Sequence, residues 1–202
     1  MRPLGENGGV SLPAFRILTV CTGNICRSPA ADLLFRRALE GDSRFVSTSA
    51  GTHAMVGWTI SPPMDELLAA RGIPSDLFAA RQADAAMLAG ADLILTATRE
   101  HREWVAAHSP AAVRRAFTLT EFADAIEAVS DPSAMTAPEL VQWASAHRPS
   151  ARVTSRGGST RRGYIEGDIL DPYGRGRAAY VASLAQIEPL VHRIAGTLLS
   201  TR

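Results

Sequence analysis

Residues 92–98, DLILTAT, form a near-continuous apolar run with none of the polar alternation of a strand that has one face in water. Such a strand is buried on both faces, and its usual setting is a parallel sheet between two layers of helices. The rest of the chain supplies that setting. RILTV (16–20), FVSTSAG (45–51) and RAFTLT (115–120) read as further strands, and SPAADLLFRRAL, PMDELLAARG, REHREWVAAH and EFADAIEAV between and after them have helical spacing. Strands alternating with helices imply right-handed crossovers and an α/β fold of three layers. TAPELVQWASAH (136–147) has a helical rhythm, and YVASLAQIEPLVHRIAGTLL (180–199) reads as a closing helix that Pro189 kinks or breaks.

Composition excludes several functions. No run approaches the roughly 18 apolar residues of a membrane span. A net charge of +1 leaves no electrostatic footprint for nucleic acid, and all 21 basic residues are arginine, which makes any single arginine weaker as a functional signal. MRPLGENGGVSLPAF has Gly and Pro where a signal peptide has its apolar core, so residues 1–15 read as a disordered leader on a cytoplasmic protein, with one domain over 16–202. The five histidines, 53, 101, 108, 147 and 192, show no ligand spacing with either cysteine, so no metal is expected.

The two cysteines lie in TVCTGNICRSPAADLL (19–34), where ligands of such folds gather, at the carboxyl end of the first strand. Cys21 ends the strand, Gly23 and Asn24 tolerate positive φ, Ser28 stands near the N-cap of the next helix and Pro29 in its first turn. A loop curled in this way turns the backbone N–H groups of Thr22, Gly23, Asn24, Ile25 and Cys26 inward at a helix N-terminus, which makes an oxyanion cradle. The same N–H groups and the Arg27 guanidinium favour a thiolate at Cys21. Arg27 can also bind two oxygens of a tetrahedral anion bidentately. The pattern points to phosphoryl transfer to sulfur, with phosphate or another oxyanion as ligand. The alternative is two small buried cysteines beside a helix start.

VCTGNICRSPAADLLFRRAL resembles the signature of the low-molecular-weight protein tyrosine phosphatases of prokaryotic type, and the resemblance continues through SAGTHA (49–54), AARQ (79–82), ADLILTATREH (91–101) and DPYG (171–174). It implies a four-stranded parallel sheet flanked by helices and no cofactor. The implied activity is hydrolysis of phosphotyrosine in proteins through a phosphocysteine, with a bacterial tyrosine kinase as a possible substrate protein. By the same resemblance Cys21 is the nucleophile, Asp171 the general acid and then base, with Asp168 the competing carboxylate. Ser28 bonds the Cys21 sulfur while also capping the helix, Asn24 braces the loop with Ser49 among its partners, Arg81 is structural, and Cys26 either forms a protective disulfide with Cys21 or only packs behind the loop.

The chain departs from the family where the substrate ring is held. Met55 and Gly174 stand where aromatic residues are common, leaving Met55 and Tyr173 as walls, and Phe78 replaces a histidine, so Asn24 needs another brace. An insertion at about 130–165 adds a helix and, over RPSARVTSRGGSTRRG (148–163), a mobile loop. Its Arg152, Arg156, Arg161 and Arg162 suit an acidic protein tail, or simply face solvent. An arsenate reductase using a low-molecular-weight thiol is the alternative activity. The thioredoxin-linked form needs further cysteines that this chain lacks.

Overall fold

The computed structural model describes residues 13–148 and 167–202. Four strands, β1 (Phe15–Cys21), β2 (Phe45–Gly51), β3 (Leu93–Thr96) and β4 (Ala116–Thr118), form one parallel sheet in the order β2-β1-β3-β4. β1 therefore has one neighbour on either side, and the crevice where the chain order reverses opens at its carboxyl end, after Cys21.

Strand periodicity decides which layer each side chain meets. Ile17 and Cys21 belong to the core shared with α1 (Arg27–Ala38), α2 (Pro62–Ala69), α5 (Leu119–Glu127), α6 (Ala137–Ala146) and α7 (Arg177–Leu199). Leu18 and Val20 belong to the opposite core, under α3 (Ala85–Gly90) and α4 (Arg99–His108). Thr19, on the α1 side, donates from Oγ1 to the Ser28 carbonyl at 2.8 Å and fixes the start of α1 against β1. Cys21 thus reaches the end of the strand already facing the helix that begins six residues later.

Three readings of the sequence are corrected. Helix α7 starts at Arg177 and runs through Pro189 without a break. The lost hydrogen bond costs about 3 kcal/mol, but Tyr180, Leu184, Ile187, Val191, Ile194 and Leu198 are all buried along this helix. Each such side chain contributes roughly 1.5–3 kcal/mol, so the apolar face holds the helix together. The strand expected over 115–120 stops at Thr118, because Thr118 caps α5 in a reciprocal capping box with Glu121. β1 starts at Phe15, inside the expected leader, where Phe15 packs edge-on against Phe45 at 5.9 Å.

Helix α6 fills the first half of the expected insertion behind a capping box of Thr136 and Glu139. Residues 1–12 of the leader, and 149–166 with Arg152, Arg156, Arg161 and Arg162, lie outside the described residues. Among the described residues no helix is long and apolar enough to cross a membrane.

Candidate active site

The loop between β1 and α1 owes its shape to the segment that follows β2. Thr52 N–H donates to the Cys21 carbonyl, His53 N–H to Thr22, Met55 N–H to Gly23 and Ser61 N–H to Ile25, all within 2.8–3.0 Å, while Ala30 N–H takes the Cys26 carbonyl at 3.2 Å. In a trans peptide the next N–H points away from the carbonyl. The N–H groups of Thr22, Gly23, Asn24, Cys26 and Arg27 are therefore turned to the inside of the curl. No group among the described residues accepts from the N–H of Thr22, Gly23, Asn24, Ile25 or Cys26.

Only Asn24 takes positive φ in the loop, at 55°. Gly23 does not, contrary to expectation; a Cβ there would sit 3.4 Å from Ile25 Cγ1 and 3.7 Å from Met55 Cγ, ordinary contacts. The glycine the loop requires is Gly51, where β2 passes so close that a Cβ would lie 2.4 Å from the Thr22 carbonyl oxygen and 3.0 Å from Asn24 N.

Asn24 is fully buried and works as a brace. Its Oδ1 accepts from Arg81 N–H and its Nδ2 donates to Ser28 Oγ, both at 2.9 Å. Main-chain N–H of Arg81 thus replaces the missing histidine, and Phe78 only packs against the core. Ser49 is not a partner of Asn24: its hydroxyl is buried with no partner among the described residues, and its carbonyl accepts from Arg81 Nε at 2.7 Å. Arg81 is structural, as expected.

Ser28 is likewise not the cap of α1. Cys26 occupies that position and makes no side-chain cap bond. Ser28 sits in the first turn with its Oγ 3.0 Å from Cys21 Sγ, 2.9 Å from Asn24 Nδ2 and 3.3 Å from the Ala50 carbonyl oxygen. Its hydroxyl is committed to the sulfur and its brace. The first N–H groups of the helix stay turned toward the loop interior, where their partial positive charge acts on an anion.

Arg27 is 5% exposed, and its Nε has no acceptor among the described residues. A buried donor without a partner calls for an explanation, and this one belongs to a residue that lines the cavity with Cys21. The guanidinium is held at its other end: Nη1 donates to the Ile169 carbonyl at 3.4 Å, and Nη2 to Asp171 Oδ2 at 2.8 Å and Thr22 Oγ1 at 3.5 Å. Asp168, the competing carboxylate, points elsewhere and accepts from Arg99 N–H at the start of α4. Burial raises its pKa above the ordinary carboxylate value, against the opposing Arg99 hydrogen bond. Asp171 lines the same cavity of about 170 Å³ as Cys21 and Arg27; Asp168 does not.

The other walls of that cavity are Thr22, Gly23, Ile25 and Cys26 of the loop, with Met55, Tyr173 and His53 at the mouth. The expected Met55 and Tyr173 are thus brought to one opening. Cys26 is buried, and burial first, then the neighbouring Cys21, pushes its pKa up to about 12. It stays a thiol.

Three participants were not singled out from the sequence. Gln82 ties the segment after β2 together, accepting from Ala54 N–H and donating to the Thr52 carbonyl. His53 stands at the mouth. His101 is buried beneath the loop, 2.8 Å from Thr22 Oγ1. AARQ, SAGTHA and ADLILTATREH, read as motifs, contained all three without assigning them a role.

Comparison with known proteins agrees with this geometry. A family model described as low molecular weight phosphotyrosine protein phosphatase matches residues 16–145. The chain is 37% identical over 105 residues to a probable low molecular weight protein-tyrosine-phosphatase, EpsP, of Ralstonia nicotianae, spanning 52% of this chain and 70% of that one. Over 187 residues, 92% of this chain and 98% of the relative, it is 26% identical to a protein-arginine-phosphatase of Bacillus subtilis. Among solved structures, the YwlE arginine phosphatase from Geobacillus stearothermophilus superposes with a TM-score of 0.65 at 26% identity, over 92% of this chain and 93% of that chain. The family-model match ends before Asp171, whose place in the site rests on its contact with Arg27.

Proposed function

The chain belongs to the low molecular weight phosphotyrosine protein phosphatase family, and we propose that it hydrolyses phosphotyrosine in proteins through a phosphocysteine at Cys21. The observation that carries this reading is the set of inward N–H groups, with the unpartnered Arg27 Nε, gathered around the Cys21 sulfur at the foot of the cavity. Donors fixed in advance around the place where charge develops are worth about 100-fold or more each in rate.

In the first step Cys21 Sγ attacks phosphorus, the S–P bond forms, and the bond to the phenolic oxygen breaks. Asp171 gives its proton to that oxygen. A phosphate in the loop competes with Asp171 for the guanidinium, which frees the carboxyl group to meet the leaving oxygen. In the second step water attacks phosphorus, Asp171 takes its proton, and the thiolate departs. Ser28, 3.0 Å from Sγ and supplied with a donor by Asn24, gives its O–H to the departing sulfur. If peroxide oxidises Cys21 to its sulfenic acid, attack by the Cys26 sulfur would form the S–S bond and release water, but burial and the raised pKa of Cys26 disfavour that step and favour the reading in which Cys26 packs behind the loop.

The walls support the aryl substrate. Ile25, Met55 and Tyr173 offer apolar surface to a ring. Phosphoarginine is the second reading, favoured by the likeness over 92% of the chain to arginine phosphatases; among the described residues, Asp171 alone offers its guanidinium an acidic partner in this cavity. A bacterial tyrosine kinase as substrate protein and a cytoplasmic site of action belong to the same proposal.

Hydrolysis of a phosphotyrosine peptide, a phosphoarginine peptide and para-nitrophenyl phosphate by the wild type, Cys21→Ser and Asp171→Asn tests this. Faster turnover of the phosphotyrosine peptide, lost in Cys21→Ser and strongly reduced in Asp171→Asn, supports the reading. Turnover by Cys21→Ser overturns the mechanism, and a preference for phosphoarginine overturns the substrate.

A further inference from the structure

His101 is 5% exposed, and both of its ring nitrogens are engaged. Nδ1 lies 2.7 Å from Thr98 Oγ1 and Nε2 lies 2.8 Å from Thr22 Oγ1. The ring therefore links the N-cap of α4 to an exposed residue of the oxyanion loop. Burial first, then the nearby Arg27 and His53, lowers its pKa to about 3, so it is neutral in use and carries a single N–H. One hydrogen between two hydroxyls leaves two arrangements.

In one arrangement Nδ1–H donates to Thr98, and the Thr22 hydroxyl donates to Nε2. The Thr98 hydrogen then has no acceptor among the described residues and is left to solvent at this half-buried position, since the other contact of Thr98 Oγ1 is with the donor His101 N–H at 3.3 Å. In the other arrangement Thr98 O–H donates to Nδ1, and Nε2–H donates to Thr22 Oγ1. Every hydrogen of Thr98 and His101 is then placed. Thr22 Oγ1 accepts from His101 and, at 3.5 Å, from Arg27 Nη2, which uses both lone pairs and leaves its own hydrogen for the cavity that Thr22 lines. An anion in the loop favours the same direction, because it meets a hydrogen in place of a lone pair.

We propose that Thr22 is a further oxyanion-binding side chain, its O–H directed at a phosphoryl oxygen, and that His101 and Thr98 are positioning residues that set the direction of that hydroxyl. The inference deepens the phosphatase reading above and rests on it. The hydroxyl adds a donor beside the N–H groups and the guanidinium, and acts on bound phosphate as well as on the transition state. Its loss shows in binding and KM more than in kcat.

The experiment is calorimetric titration of the full chain with inorganic phosphate, alongside KM and kcat for para-nitrophenyl phosphate. The variants are Thr22→Val, Thr22→Ser, His101→Phe, His101→Gln and the double Thr22→Val/His101→Phe. A hydrogen bond to a charged group is worth about tenfold to a hundredfold in affinity. Thr22→Val and His101→Phe should each weaken phosphate binding by a factor in that range and raise KM alike, with kcat nearly kept. The double variant should be no worse than either single one, because Thr22 contributes only when held. Thr22→Ser restores binding, and His101→Gln, which keeps an N–H donor, restores part of it. Wild-type phosphate affinity in Thr22→Val, or effects that multiply in the double variant, overturns the proposal. Should His101→Phe not fold, Thr22→Val against Thr22→Ser decides the role of the exposed Thr22, and His101→Gln, whose phosphate affinity should lie between those of the wild type and Thr22→Val, decides that of His101. A wild type that binds phosphate without hydrolysing any of the esters sinks the phosphatase reading, and the calorimetric comparison still decides the role of Thr22.

Discussion

Arg27 Nη2 donates to Asp171 Oδ2 at 2.8 Å, joining two groups 144 positions apart in the chain. The arginine is almost wholly buried, whereas the aspartate side chain is 47% exposed. The rigid partner is thus the one built into the oxyanion loop, and the carboxyl group, whose Oδ1 accepts from Tyr173 N–H at 3.1 Å, is the one within reach of a leaving group from solvent. Three further bonds hold the backbone that carries it: Ile169 N–H to the Ala97 carbonyl, Leu170 N–H to Gln186 Oε1, and Asp168 Oδ1 from Arg99 N–H.

Replacing the acid should therefore depend on the leaving group. Asp171→Asn keeps a polar side chain but has no proton to give, so kcat/KM for phenyl phosphate, which reports the step that expels the phenol, should fall by about 100-fold or more. The loss for para-nitrophenyl phosphate should be smaller, because that phenolate leaves without much help. Steady-state rates on a series of aryl phosphates check this: the variant's rates should depend more steeply on leaving-group pKa than the wild type's.

Gly51→Ala tests the close passage of β2 behind the loop. Its Cβ would press on the Thr22 carbonyl oxygen at 2.4 Å and on Asn24 N at 3.0 Å, both backbone, so relief requires the loop to move. A loss of about 2–3 kcal/mol, or roughly 5–10 °C in Tm, is expected. Phosphate affinity should fall with it, measured by calorimetry on the folded protein.

The first strand, the oxyanion loop and the first helix were legible in the sequence because their signals are local: an apolar run, a Cys followed by small residues, an Arg, then helical spacing. Helix α4 was legible over Arg99–His108 for the same reason. Pairings at long range were not. Nothing near Asn24 says that the main chain of Arg81 replaces the missing histidine, nor that His101 lies beneath Thr22. Ser28 was misread as a cap because hydroxyl residues favour caps; here the same hydroxyl is taken by Cys21, Asn24 and Ala50. The short helix α3, capped by Asp84, has too few residues to show a period. Pro189 misled because its local cost is readable and the buried face opposing it depends on tertiary packing.

Ser28→Ala should separate the two chemical steps. Removing the hydroxyl 3.0 Å from Cys21 Sγ deprives the departing thiolate of a donor and leaves Asn24 Nδ2 without its acceptor. Hydrolysis of the phosphocysteine should slow more than its formation. Stopped-flow release of para-nitrophenol should then show a burst close to one equivalent of enzyme, followed by a slow steady state.

His101 should also leave a mark on stability. Its pKa in the fold is about 3, against an ordinary value of 6.5, because burial and then Arg27 disfavour the charged ring. The unfolded chain takes up a proton below about 6.5 that the fold refuses, so the contribution is full above that pH and is lost as pH falls toward 3. The slope approaches one proton, at most about 1.4 kcal/mol per pH unit. Urea unfolding of the wild type and His101→Gln between pH 7 and 4 checks the sign: the wild type should lose more stability on acidification than the variant.

The central claim is that phosphorus passes through the Cys21 sulfur. Acid quenching within one turnover of a labelled phosphotyrosine peptide, followed by peptide mapping, tests it most directly. The account predicts a single phosphoryl group on the peptide that contains Cys21, larger in amount in Ser28→Ala and absent in Cys21→Ala. Phosphate release at the wild-type rate from Cys21→Ala, or wild-type turnover with no label on Cys21 at any quench time, would contradict it.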